Sequence, residues 1–397
     1  MPPSIGGTLL RASSSLISLI LASFISVSCQ KSSSRWQTGE VFFTQALVST
    51  PEGLKVQTVQ LEGVRDSKTL RGDIVEFTFS PGEKDGPEGK KLVGQAPVAR
   101  FIENRDGIMV PSDVLSLQMT TLYYQLQSLK KFEEKLKISE NLSWPRKVGL
   151  RAKTKNPENR FNNAFYNSEL DVIYFVPYTE EILPVPLNAG VLAHELFHAY
   201  FAKLVTQKIK NKEQSPLNEF ILKSLNEGLA DVWGWLFTGQ ADFMALSLSK
   251  AKTQNDRTLE TPKGVTVQLP TLRQMQRQVQ IAENLCPQID NCKNPNQLNI
   301  TESYEHGTQL ARLIKVISLQ QQQLKNESFE QMRLRIARSV IEAVTQLITQ
   351  LEEKNLSIEN TALIWSQIVN LDDETLCTTM KAAFLDPNFK DKICSVK

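Results

Sequence analysis

The sequence predicts an α+β fold, strand-rich over its first quarter and largely helical afterwards, on three observations. From Val41 to about Met109 apolar and polar residues alternate, as in Val75, Phe77 and Phe79. A Gly- and Pro-rich break at Pro81–Gly89 precedes a second strand-like run from Leu92 to Ile102. After Pro111-Ser112-Asp113 the spacing changes to three and four: Leu115, Met119, Leu122, Leu126, Leu129, Phe132 and Leu136 form one apolar stripe. Ile336, Val340, Val344, Leu347 and Leu351 mark a second such helix near the end. With 397 residues and 41% hydrophobic content, the chain can bury one large core or two smaller ones. Its formal charge of +2 gives no electrostatic reason to expect nucleic acid as a partner.

The first 28 residues read as a signal peptide. Arg11 precedes an apolar stretch from Leu16 to Val27, far short of the roughly 20 residues that a spanning helix needs. Ser28 before Cys29 resembles a bacterial lipobox, which makes Cys29 the expected lipidation site and membrane anchor. Ser32, Ser33 and Ser34 then supply a tether over residues 29–40. Ordinary secretion is the alternative, because Ser26 and Ser28 also satisfy a small-x-small cleavage rule. Either way the protein is expected to be exported, to a bacterial cell envelope or beyond it. Setting Cys29 aside, Cys286, Cys292, Cys377 and Cys394 are even in number and suit disulfides in an oxidising compartment. Nearest-neighbour pairing is expected; a four-thiolate zinc site lacks the usual C-x2-C spacing.

Residues 41–110 are expected to form a small β domain, and 111–397 the catalytic domain. Within the latter, Trp144-Pro145 ends the first helix and Lys147–Lys153 reads as a short strand. Leu170–Val176 reads as another strand, and Asn188 as the N-cap of a helix over about 188–206. Lys203, Lys208, Lys210 and Lys212 fit the solvated end of that helix. A further helix is expected over about 217–237, residues 241–303 read as loop-rich, and a helical lobe runs from about 305 to 397.

The chemistry sits on these helices. His194-Glu195-Leu196-Phe197-His198 is an H-E-x-x-H run, and Asn226-Glu227-Gly228-Leu229-Ala230-Asp231 follows, with Glu227 29 residues beyond His198. Residues four apart on an α-helix lie about 40° apart around its axis and about 6 Å along it. Both imidazoles can therefore reach one ion, with Glu227 as a third ligand and one position left for water. Glu195, about 100° round from His194, suits a general base acting on that water. Asp231, one turn beyond Glu227, can orient a ligand histidine, with His194 the expected partner. The plain alternative is a pair of core histidines bonded to carbonyls; the added glutamate and aspartate weigh against it. For the oxyanion of a tetrahedral intermediate, either His306 or Tyr304 in Tyr304-Glu305-His306-Gly307 can donate, just before a helix expected after Gly307.

Taken together, these residues resemble the gluzincin clan, and within it the thermolysin family of metallopeptidases. Asn163-Ala164-Phe165-Tyr166 is similar to the family's edge-strand segment, which implies that Asn163 and Ala164 contact substrate backbone. The His194 run resembles the zinc helix and the Asn226 run the third-ligand helix. Arg257-Thr258-Leu259 with Pro262 looks like the family's arginine-leucine-proline stretch. The likeness spans roughly residues 110–320. It implies a sheet-bearing lobe and a helical lobe flanking a zinc cleft, one Zn2+ per chain, and protein or peptide substrates. The chain departs from the family in a longer interval between His198 and Glu227, a short N-terminal region, no evident calcium cluster, and an unusual distance between His306 and its glycine. The reading is a zinc-dependent endopeptidase. Its rivals are a catalytically silent surface lipoprotein that serves binding or envelope structure, and a zinc-stabilised structural domain.

Overall fold

A computed structural model describes residues 41–393 except 51–52, 88, 155–160, 180–182, 211, 249–256, 263, 290–291, 293–297, 299 and 372. The expected signal peptide, tether and Cys29 lie outside the described residues, as does Cys394. The fold is α+β. Strands β1 (Phe42–Thr50), β2 (Gly53–Leu61), β3 (Val64–Asp66), β4 (Arg71–Gly72), β5 (Val75–Gly86), β6 (Gly89–Gln95), β7 (Phe101–Glu103) and β8 (Met109–Pro111) come first. Helix α1 (Val114–Leu136) is next, capped by Asp113, whose side chain accepts from the Ser116 amide. The apolar stripe of the sequence is its buried face, from Met119 to Leu136.

Strands β9 (Arg146–Leu150), β10 (Ala164–Asn167) and β11 (Val172–Phe175) then complete a five-stranded sheet of order β10-β11-β9-β5-β6. This arrangement crosses the boundary expected near residue 110. β5 pairs in parallel with β9, Val75 opposite Arg146 through Phe79 opposite Leu150. Residues 41–110 thus share a hydrogen-bonded sheet and a continuous apolar core with the rest of the described chain. Alternation along β11 divides the faces. Ile173 and Phe175 join the main core, while Val172 and Tyr174 join a smaller outer cluster against which Leu92 of β6 packs. β10 is an edge strand, paired antiparallel with β11 from Ala164–Phe175 to Asn167–Val172.

Helix α2 (Ala189–Phe201) begins at the expected cap. Asn188 Oδ1 accepts from the Gly190 amide at 3.0 Å and the Val191 amide at 3.2 Å. A π-helical turn, Ala202–Thr206, and a last turn, Gln207–Ile209, extend α2. Helix α3 (Pro216–Thr238) has Ser215 as N-cap, proline in its first turn and Gly239 at φ 75° as its C-cap. The stretch 241–303 holds helix α4 (Leu272–Leu285), opened by a Thr271–Gln274 capping box. Helix α5 (Ile300–Leu324) starts seven residues before Gly307, so that glycine is interior. Helices α6 (Phe329–Glu352), α7 (Ile358–Ile368), α8 (Glu374–Ala383) and α9 (Pro387–Lys390) complete the order. Cys286 and Cys292 form a disulfide as expected, and Cys377 is disulfide-bonded too. No helix among the described residues is long and apolar enough to cross a membrane.

Candidate metal centre and active site

α2 and α3 pack against each other so that their polar positions meet at a cleft. His194 is 3% exposed and Glu195 6%. His194 Nε2 and His198 Nε2 lie 3.1 Å apart. Glu227 Oε2 is 3.5 Å from the former and 3.9 Å from the latter. Donor atoms held at roughly 2.0–2.1 Å around a tetrahedral ion stand about 3.3 Å from one another. The far nitrogens are also engaged. His198 Nδ1–H donates to Asn226 Oδ1 at 2.9 Å, and His194 Nδ1 lies 3.0 Å from Asp231 Oδ1. Each imidazole thus spends its Nδ1 on an oxygen and turns Nε2 inward, the tautomer a metal ligand requires. Two imine nitrogens and a carboxylate oxygen so placed fit a zinc ion.

The electrostatics agree. Burial alone would lower the proton affinity of His194, yet hydrogen bonds to Asp231 and Glu227 push its pKa up to about 9. Burial also opposes ionisation of Glu227, but the charge of His198, the bond to His194 and Arg257 hold its carboxyl well below the usual range. The site is built to favour positive charge at its centre. Glu195 differs: burial raises its pKa above the ordinary carboxylate value, and its Oε2 is buried with no hydrogen-bond partner in the protein. His194, Glu195 and His198 offer ligand atoms within 4.8 Å of one another, so two carboxylates border the same point. Glu227 stands nearer to both imidazole nitrogens.

The cleft, of about 1070 Å³, is lined by His194, Glu195, His198 and Glu227, and also by Asn163 and Ala164. Tyr304 lines it too, and His306 does not. Two residues apart on a helix lie about 200° apart around its axis, so they cannot serve one site from within α5. His306 lines a separate cavity of about 430 Å³ with Arg312 and Gln309. Its ring meets Phe220 edge-on at 5.5 Å, and burial lowers its pKa to about 4. Of the two candidate donors, Tyr304 borders the cleft that holds His194 and Glu227, and His306 borders the separate cavity. The Tyr304 hydroxyl pKa is raised, first by the charge of Glu227 and then by burial.

Arg257 belongs to the site as well, in a role its place in the sequence did not reveal. Arg257 Nη2 donates to Asp231 Oδ1 at 2.8 Å and approaches Glu227 Oε2 at 3.3 Å. Its guanidinium lies 4.4 Å from the Tyr304 ring centroid, close enough for cation–π attraction. Arg312 Nε and Lys315 Nζ on α5 donate to the carbonyls of Thr258 and Leu259, at 2.9 and 3.3 Å, and hold the segment that carries Arg257. The arginine-leucine-proline likeness was the available signal, and it pointed to a family segment without a role.

Residues 187–327, which contain α2, α3, Arg257 and Tyr304, match the model of a family described as "Putative zinc dependent peptidase (DUF5700)". No curated protein matches the chain. At the level of that description, the part of the chain that carries the candidate metal centre is similar to a family of proposed zinc-dependent peptidases.

Proposed function

We propose that the protein is a zinc-dependent endopeptidase of thermolysin-like architecture, with His194, His198 and Glu227 as the ligands of one zinc ion. The observation that carries this reading is the convergence of His194 Nε2, His198 Nε2 and Glu227 Oε2 within 3.1–3.9 Å at a cleft bordered by β10, an edge strand among the described residues. Asp231 orients His194 and Asn226 orients His198. Zinc bound there supplies a Lewis acid that lowers the pKa of water to about 7 and polarises a carbonyl.

The chain's own groups do the rest. A peptide extends the sheet by pairing with β10, its backbone held at Asn163 and Ala164. Glu195 takes the proton of the attacking water at its carboxylate and delivers it to the leaving amine; the raised proton affinity that burial gives it suits this exchange. Tyr304 donates its hydroxyl proton in a hydrogen bond to the developing oxyanion, and the adjacent Arg257 steadies its ring. Export, and anchoring through a lipidated Cys29, belong to the proposal on sequence grounds alone.

The test is a metal analysis paired with hydrolysis of an unfolded protein. One zinc per chain and chelator-sensitive cleavage are expected, with Glu195→Gln retaining zinc while losing turnover. Zinc binding without hydrolysis by the parent chain would instead favour the silent lipoprotein or the structural domain.

A further inference from the structure

Arg146, the first residue of β9, is a buried cation, 1% exposed. Its Nη1 donates to Asp171 Oδ2 at 3.1 Å and to the Ser143 carbonyl at 3.1 Å, and its Nη2 donates to Asp171 Oδ1. Asp171 occupies the turn between β10 and β11 at φ 52°, a left-handed conformation that aspartate tolerates better than most residues. The same Oδ1 accepts the Tyr166 hydroxyl at 2.8 Å. Tyr166 belongs to β10 and lies on its inner face, packed against the main core, whereas Phe165 joins the outer cluster. It lines the cleft with His194 and Glu195.

β10 is four residues long and, among the described residues, pairs with β11 alone. A short edge strand held by one ladder is lightly constrained by its own backbone bonds. The bidentate Arg146–Asp171 pair anchors the turn at its far end, and the Tyr166 hydroxyl ties the strand to that anchor. The pair is buried on the arginine side only, Asp171 being 44% exposed, and a partly solvated pair of this kind adds little net stability. What the pair does supply is orientation, since a guanidinium fork accepts a carboxylate in few geometries. The same cation acts on the opposite side as well, favouring ionisation of buried Glu133 beside Tyr200 of α2.

We propose that Arg146 and Asp171 are positioning residues that hold β10, through the Tyr166 hydroxyl, as a preformed docking strand for extended peptide. This inference rests on the peptidase reading above. Other polar contacts at the turn, Asn167 Nδ2 to Glu83 Oε1 and Lys90 Nζ to Glu169 Oε2, each 3.0 Å and exposed, join it to the β5–β6 hairpin.

Two variants test it, Tyr166→Phe, which removes only the hydroxyl, and Asp171→Asn. Hydrogen exchange of the zinc-loaded protein should show faster exchange of the β10 amides in both, with α2 unchanged. KM for a peptide long enough to pair with the whole strand should rise about three- to tenfold, as for one lost hydrogen bond. KM for a blocked dipeptide, and kcat for both substrates, should stay within about twofold on the same ground. Unchanged exchange in folded Tyr166→Phe would overturn the proposal. So would faster exchange with no selective rise in KM, or an equal loss on both substrates, which is what a merely structural role produces. Failure of the peptidase reading would show differently, as absence of hydrolysis by the parent chain.

Discussion

Gly228 and Gly307 touch backbone to backbone. A Cβ placed on Gly228 would stand 2.2 Å from the Gly307 carbonyl oxygen, and one on Gly307 would stand 2.3 Å from the Ser224 carbonyl oxygen. Neither position has room for a side chain, and neither glycine is at a positive φ. The pair lets α5 lie directly on α3, one residue from Glu227 and three from Tyr304, and so brings a tyrosine from late in the chain to the candidate metal centre.

Gly307→Ala should therefore force the two helices apart. Destabilisation of about 1–3 kcal/mol is expected, the usual cost of overpacking a rigid contact, read as a lower midpoint in urea. Activity should fall further than stability accounts for, because Tyr304 moves while α2 and α3 keep the ligands together. Zinc content should be retained.

Tyr304→Phe should lower kcat by roughly 100- to 1000-fold, the range for removing one oxyanion donor, with zinc content and fold intact. His306→Gln should leave kcat nearly unchanged. A reversed result would return the oxyanion role to His306.

Asp231→Asn should weaken zinc binding by about 10- to 100-fold, as loss of an orienting partner does at other sites. Competition with a chelator measures it. Asp231 also accepts from Arg257 at 2.8 Å, so some loss of activity at saturating zinc is expected as well.

Stability should decline on acidification through His306. Its pKa falls from the ordinary 6.5 to about 4 because burial disfavours the charged ring. The unfolded chain then binds the proton more readily. The stability tied to the neutral ring is full above pH 6.5 and is lost as pH drops toward 4. The whole effect is on the order of 3 kcal/mol, at about 1.4 kcal/mol per tenfold change in proton affinity. His306→Phe should flatten that part of the profile, seen as a smaller drop in the urea midpoint between neutral pH and pH 4.

Much of the centre is legible in the sequence, because the contacts involved are local. His194 and His198 share a helix face by their spacing, Asn188 sits where a cap belongs, and Glu227 and Asp231 are one turn apart. Secondary structure is legible where periodicity is strong, as in α1 and α6. It is misread where one residue type has two uses. Gly307 reads as a helix boundary, since glycine commonly ends helices, but here it serves a close helix crossing. The Thr271–Gln274 box is present in the sequence, yet the polar composition around it hides α4.

By itself, then, the order of residues determined which side chains can act together within a single helix, since the α-helical repeat makes that a matter of spacing. Only tertiary structure decided what depends on pairings between distant segments. It joined β5 to β9 across the expected domain boundary, brought Glu227 within 3.9 Å of both imidazoles, and set Arg257 between Asp231 and Tyr304. It also turned Tyr304 toward the cleft and His306 away, because a helix fixes the angle between two of its residues while only its packing sets which of them faces the site.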